Sequence, residues 1–177
     1  AVKVWKDGSK SSAKVVTGNA ESISAENWQG KSYSAANKVN IADYFEENTQ
    51  YHYQYTDNYT GDDSVWSAEY DYTTKATDKF SVILTGDPQV GASGSSSDKS
   101  ANDASVARDA YNWNKTMQQA LKTCPDASFL LSAGDQINQS GAAKDDDKKT
   151  RESEYAGYLY PSVFRSLPIA ATIGNHD

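Results

Sequence analysis

Three short stretches of this chain carry side chains that can bind metal or move protons. They are Gly86-Asp87-Pro88-Gln89, Gly134-Asp135-Gln136-Ile137-Asn138 and Gly174-Asn175-His176-Asp177. Together they offer carboxylates, amide oxygens and one imidazole, donors suited to Fe, Mn, Zn or Mg. Carboxylates gathered in one cleft repel one another unless a cation lies between them, which favours a metal over a bare acid–base pair. A lone Gly-Asp at the end of a strand is ordinary turn chemistry. Three such ends in succession make a stronger pattern.

Each stretch follows an apolar run: Phe80–Leu84, Ala127–Leu131 and Ile169–Ile173. Runs apolar on both faces mark parallel strands buried between helices. Between the first two, Val106, Ala110, Trp113, Met117 and Leu121 recur at helical spacing, with Asn102 or Asp103 as a candidate cap. A weaker helix is expected over about Arg151–Tyr160, interrupted by Pro161. The order strand–helix–strand–helix–strand is the α/β pattern, and ligands of such sheets sit outside the carboxyl ends of the strands. The three polar ends should therefore converge, and the glycines let the chain turn sharply off each strand.

Residues before about Thr74 follow a different pattern. Short segments rich in Val, Tyr, Trp and Thr alternate with turns such as Asp7-Gly8 and Asn58–Asp62. The stretch from Val2 to Val16 has the form of a hairpin. Tyr51, Tyr53 and Tyr55 alternate with His52 and Gln54, which puts the tyrosines on one face and His52 on a surface strand position. The spacing suggests a β-sandwich, although only about five strands can be counted.

Composition sets limits. The chain has 177 residues, a net charge of −7 and 37% hydrophobic residues, with 12 Tyr and 4 Trp adding buried area. An acidic balance argues against a general nucleic-acid or anionic-membrane binder. No apolar stretch is long enough for a membrane span, and the single Cys124 excludes an intrachain disulfide framework. Scarce Cys and a polar surface rich in Ser, Asn and Thr suggest a secreted or cell-envelope bacterial protein. The Gly91–Asp103 stretch is expected to be a flexible loop that could rim the site, and Asp145–Asp147 a solvated segment able to hold a stray cation.

The series GDPQ, GDQIN and GNHD resembles the first three motifs of the calcineurin-like metallophosphoesterases. Phe45–Tyr53 resembles the turn-then-strand signature of fibronectin type III-like domains, with Thr49 and Tyr51 matching. That combination is similar to the purple acid phosphatase subgroup. The resemblance implies an incomplete fibronectin III-like β-sandwich over residues 1–76. It implies next, over residues 77–177, the first half of an α/β metallophosphoesterase domain, a four-layer α/β/β/α sandwich. Tyr51 would be the corner tyrosine, bonded back to the main chain.

Carried onto this sequence, Asp87 would bind the first metal, Asp135 would bridge both, and Asn175 would bind the second. Gln89 stands where the family has a histidine ligand, and Asn138 where purple acid phosphatases carry their metal-binding tyrosine. His176 would orient the phosphate or protonate the leaving oxygen, and Asp177 would hold that imidazole. Two cations ~3.5–4 Å apart would clamp a phosphate ester for in-line attack. The family's later histidine ligands are expected downstream of Asp177, since the only other histidine is His52. The missing C-terminal part of the same protein would then be a partner of this chain, which should be inactive and unstable alone. The rival reading is a catalytically silent surface or carbohydrate-binding module on a degenerate phosphoesterase fold, favoured by Gln89.

Overall fold

The computed structural model describes residues 1–94, 99–139 and 145–177. Among the described residues the strands are β1 (Val2–Lys6), β2 (Lys14–Val16), β3 (Asn19–Glu26), β4 (Ser32–Lys38), β5 (Gln50–Tyr55), β6 (Tyr70–Thr73), β7 (Ser81–Thr85), β8 (Ala127–Ser132) and β9 (Ile169–Ala171). The α-helices among these residues are α1 (Lys99–Thr123) and α2 (Asp145–Tyr158). The chain divides into two compact units, Ala1–Ser22 with Ala35–Phe80, and Ile23–Ser34 with Ser81–Asp177. The second unit thus takes in a segment that lies within the expected 1–76 domain, and its main part starts at 81 rather than 77.

In the first unit an antiparallel sheet runs β2-β1-β5-β6. The β1–β2 hairpin forms as its alternation requires, Val4 opposite Lys14. Val4 and Tyr51 are buried, and Phe45 packs edge-on against Tyr51 and Tyr72 at 4.8 and 5.2 Å. The Tyr51 hydroxyl accepts the Glu46 N–H at 2.8 Å, the bond back to the main chain that a corner tyrosine makes. Among the described residues β3 and β4 pair with each other as a two-stranded ribbon.

His52 is less exposed than a surface strand residue should be, its side chain retaining 14% of its accessible area. It stands across the strands from Trp5 and Asp71 and stacks on Trp5. Its Nε2 lies 2.9 Å from Asp7 Oδ1 and its Nδ1 2.7 Å from Asp71 Oδ1, with Glu69 Oε1 at 3.4 Å. Lys10 faces the same group through Glu69 and the Trp5 ring. Carboxylates can only accept from both ring nitrogens if the ring is cationic. Bonding to Asp7, then to Asp71, raises the His52 pKa above 6.5 against the opposing effect of burial. The same bond lowers that of Asp7.

A raised folded-state pKa contributes stability in full below the unfolded value of 6.5, and that stability is lost as pH rises through the higher folded value. For Asp7 the sign reverses: its contribution is present above 3.8 and lost on acidification. The sheet should therefore be most stable between these two values. Its thermal midpoint should fall modestly from about pH 6 to about pH 9, solvent screening keeping the slope small. Thermal melts of His52→Gln should lack that alkaline slope. A slope unchanged in the variant would refute the assignment.

In the second unit β7, β8 and β9 form a parallel sheet in that order, as the three apolar runs require. Ile83, Leu130 and Ile169 stand side by side in register and pack with Val106, Trp113 and Met117 of α1 and Tyr158 of α2. Trp113 Nε1 donates to the Tyr158 carbonyl at 2.9 Å. Among the described residues α1 and α2 pack on the face that carries Ile83, Leu130 and Ile169, and Leu84, the next residue of β7, is 69% exposed. Helix α1 begins at Lys99, so Asn102 and Asp103 lie within it and do not cap it; α2 begins six residues before the expected Arg151. The centre of the proposed rim loop lies outside the described residues, as do the side chains of Asp145–Asp147. No helix among the described residues is long and apolar enough to cross a membrane.

Candidate metal centre

The three motif stretches follow β7, β8 and β9 at their carboxyl ends, and main-chain bonds join the first two. Asp87 N–H donates to the Gly134 carbonyl at 3.2 Å, Gln89 N–H to Asp135 at 2.9 Å, and Val90 N–H to Gln136 at 3.1 Å. The Val90 carbonyl in turn accepts Asn138 N–H at 3.1 Å. Asp87, Gln89 and Asp135 all have positive φ, at 56°, 39° and 49°. A left-handed non-glycine residue costs about 1–2 kcal/mol, and such residues cluster where a site needs a particular turn.

The third stretch is fastened by carboxylates. Asp135 Oδ1 accepts the His176 N–H at 3.0 Å. Asp177 Oδ1 accepts Gln136 N–H at 2.8 Å, and its Oδ2 accepts Gly174 N–H at 2.9 Å. The stretches touch through glycines. A Cβ on Gly174 would lie 2.0 Å from Asp135 Oδ1, and one on Gly134, whose φ is 94°, would lie 2.9 Å from the Gly174 main chain. Only hydrogen fits at these two positions.

His176 is oriented from another direction than expected. Its Nδ1 lies 2.5 Å from the Asn138 carbonyl oxygen. A carbonyl can only accept, so Nδ1 carries the proton and Nε2 keeps its lone pair in the neutral ring. Asp177, expected to hold this imidazole, instead spends both carboxylate oxygens on main-chain amides of the two adjoining stretches. Those amides are unpaired donors left where the chain turns off its strands, and a short acid beside them is their natural acceptor.

Asp87, Gln89, Asp135, Asn138, His176 and Asp177 are thus joined through this network, Asp87, Gln89 and Asn138 by their main chains. Asn175 is exposed between the two fastened residues of its loop. Two Asp carboxylates with amide oxygens would suit a hard cation but would fill only part of its shell. Among the described residues, no three His, Cys, Asp or Glu side chains meet as a metal-holding group.

Sequence reasoning missed the supporting helix residues. Glu154 of α2 is 1% exposed, and its Oε2 accepts the N–H groups of Asn138 at 3.1 Å and Gln139 at 2.8 Å. Burial pushes its pKa up to about 7, against the two main-chain bonds and Arg151, with Asp109 adding a little in the same direction as burial. Asp109 of α1 accepts Gly91 N–H at 3.0 Å and Ser93 N–H at 3.1 Å, holding the chain that follows Gln89. Tyr155 lies near Asp177, and burial with that negative charge raises its phenol pKa. The available signal was a glutamate inside the buried helical stripe formed by Ser153, Glu154, Gly157 and Tyr158.

No family model matches the chain, and no curated protein sequence matches it. Among solved structures, the chain is similar to a purple acid phosphatase isolated from yellow lupin (Lupinus luteus) seeds, with a TM-score of 0.59 at 16% identity. The match covers 99% of this chain and 30% of that one, so the chain spans less than a third of its neighbour's length. At this identity the likeness is one of fold.

Proposed function

We propose that the chain supplies one side of a two-metal phosphoesterase centre that takes phosphate esters. The observation that carries this is the lacing of GDPQ, GDQIN and GNHD at the ends of three adjacent parallel strands, with Gly174 in van der Waals reach of Asp135. The fold likeness to a phosphatase supports it. Asp87 and Asp135 would be the carboxylate ligands, and Asn175, with Gln89 and Asn138, the amide donors. Two ions, of Fe, Mn or Zn, would neutralise the phosphate charge and polarise its oxygens when bound.

The chain's own residues do the rest. Asn138 holds the His176 ring by Nδ1, so that Nε2 can exchange a proton with a phosphate or leaving-group oxygen. Asp177 holds Gly174 and Gln136 so that the carboxyl ends of β8 and β9 stay in step. For the first unit we read a fibronectin III-like module, supported by the Tyr51 bond to Glu46.

Phosphate contact is tested with inorganic phosphate as the probe. Manganese-loaded protein should broaden its phosphorus resonance, and His176→Ala should reduce that broadening about tenfold if the ring contributes a charge-assisted bond. Absence of broadening with the wild-type chain would leave the silent-module reading in possession of the fold.

A further inference from the structure

A buried carboxyl with no apolar role is costly unless something requires it, because an aliphatic side chain of similar volume would pack there without desolvation. Glu154 is such a group, and the phosphoesterase reading does not use it. Its Oε1 has no hydrogen-bond partner among the described residues and sits against Gly91, where a Cβ would come within 2.4 Å. Its Oε2 is fully employed, taking the N–H groups of Asn138 and Gln139.

The second of these bonds matters most. The Gln139 N–H and the Asn138 carbonyl belong to one planar peptide unit. The N–H end of that plane is held by Glu154 at 2.8 Å, and the carbonyl end faces His176 Nδ1 at 2.5 Å. Fixing one end of a trans peptide fixes the direction of the other. Hydrogen bonds in such a chain also polarise one another, so a carboxylate on the N–H strengthens the carbonyl as an acceptor.

We propose that Glu154 is a positioning residue for His176, acting through the Asn138–Gln139 peptide to select the Nδ1–H tautomer of the ring. Helix α2 thereby sets which imidazole nitrogen is left for chemistry. The meaning of that choice for phosphate rests on the phosphoesterase reading, but the geometry exists in the metal-free chain and is measured there. With only two histidines in the sequence, nitrogen-15 spectra of histidine-labelled protein contain two rings, and His52→Gln identifies the second.

Wild-type protein should show His176 as the Nδ1–H tautomer and a slowly exchanging Gln139 amide. Glu154→Leu fills the same volume without burying an acid, so the variant should fold. Its Gln139 amide should exchange about tenfold faster or more, as expected when a charge-assisted bond is lost, and His176 should shift toward the Nε2–H tautomer. Glu154→Gln, which keeps an acceptor oxygen, should restore both signals. Val106→Ala loosens the α1–α2 packing without touching the carboxyl and should leave the tautomer unchanged. If the leucine variant does not fold, Glu154→Asp, which withdraws the carboxyl by one methylene, should give the same two changes. A folded Leu or Asp variant with an unaltered His176 ring, or an equal change in Val106→Ala, would overturn the proposal. A chain that binds no metal yet shows the tautomer change upholds Glu154 while removing the phosphoesterase reading alone.

Discussion

Gly174→Ala should destabilise the second unit by about 3 kcal/mol, the upper part of the range for overpacking a closed site. The new methyl would meet Asp135 Oδ1 at 2.0 Å and, more seriously, the Asp135 main-chain nitrogen at 2.3 Å. A side-chain oxygen can rotate away; a main-chain nitrogen between a strand and its turn cannot. The loop must therefore lift, which breaks the Asp135 bond to His176 N–H and strains the Asp177 bond to Gly174 N–H. Gly86→Ala is the matched control, since its nearest neighbour, Ala133 Cβ, would lie at an ordinary 3.9 Å. Urea unfolding of both variants checks the claim, and equal midpoints would contradict the close approach of these loops.

Leu130→Ala should cost about 2–5 kcal/mol, the range for emptying a large aliphatic site in a core that only partly collapses. Leu130 is 0% exposed on the central strand of the parallel sheet, flanked in register by Ile83 and Ile169. It faces the helices whose apolar stripe includes Trp113 and Met117, so no neighbour is free to fill the void. Leu84→Ala, one position along the adjacent strand and on the uncovered face, should change stability by no more than about 0.5 kcal/mol. Helical circular dichroism, both described α-helices lying in the second unit, followed through denaturation reports that unit in both variants. A Leu84 effect as large as that of Leu130 would mean that the sheet face turned away from the helices is also packed.

Elements with strong local patterns were legible in the sequence. The three apolar runs became parallel strands, the stripe from Val106 to Leu121 became α1, and the Val2–Val16 stretch became a hairpin. Tyr51 was legible too, because a corner bond spans only five residues. What failed depended on contacts distant in the chain. Asp177 reaches Gln136 across 41 positions, and no local pattern could say that its carboxylate serves main-chain amides rather than the neighbouring imidazole. Glu154 was passed over within a charged segment, though its place on the buried side of α2 sets it apart from Glu152, which is exposed. Strand spacing alone cannot say which strands pair, so the partnership of β3 with β4 was not legible.

The central claim is that Asp87 and Asp135 form a cation site at the ends of β7 and β8. Calorimetric titration of the metal-free chain with Mn(II) tests it most directly. The account predicts saturable binding that Asp87→Asn and Asp135→Asn each weaken by more than about tenfold, the least that even outer-shell partners of a metal are worth. His176→Ala should leave that binding nearly unchanged. No saturable binding by the wild-type chain, or binding that survives both aspartate substitutions, would contradict it.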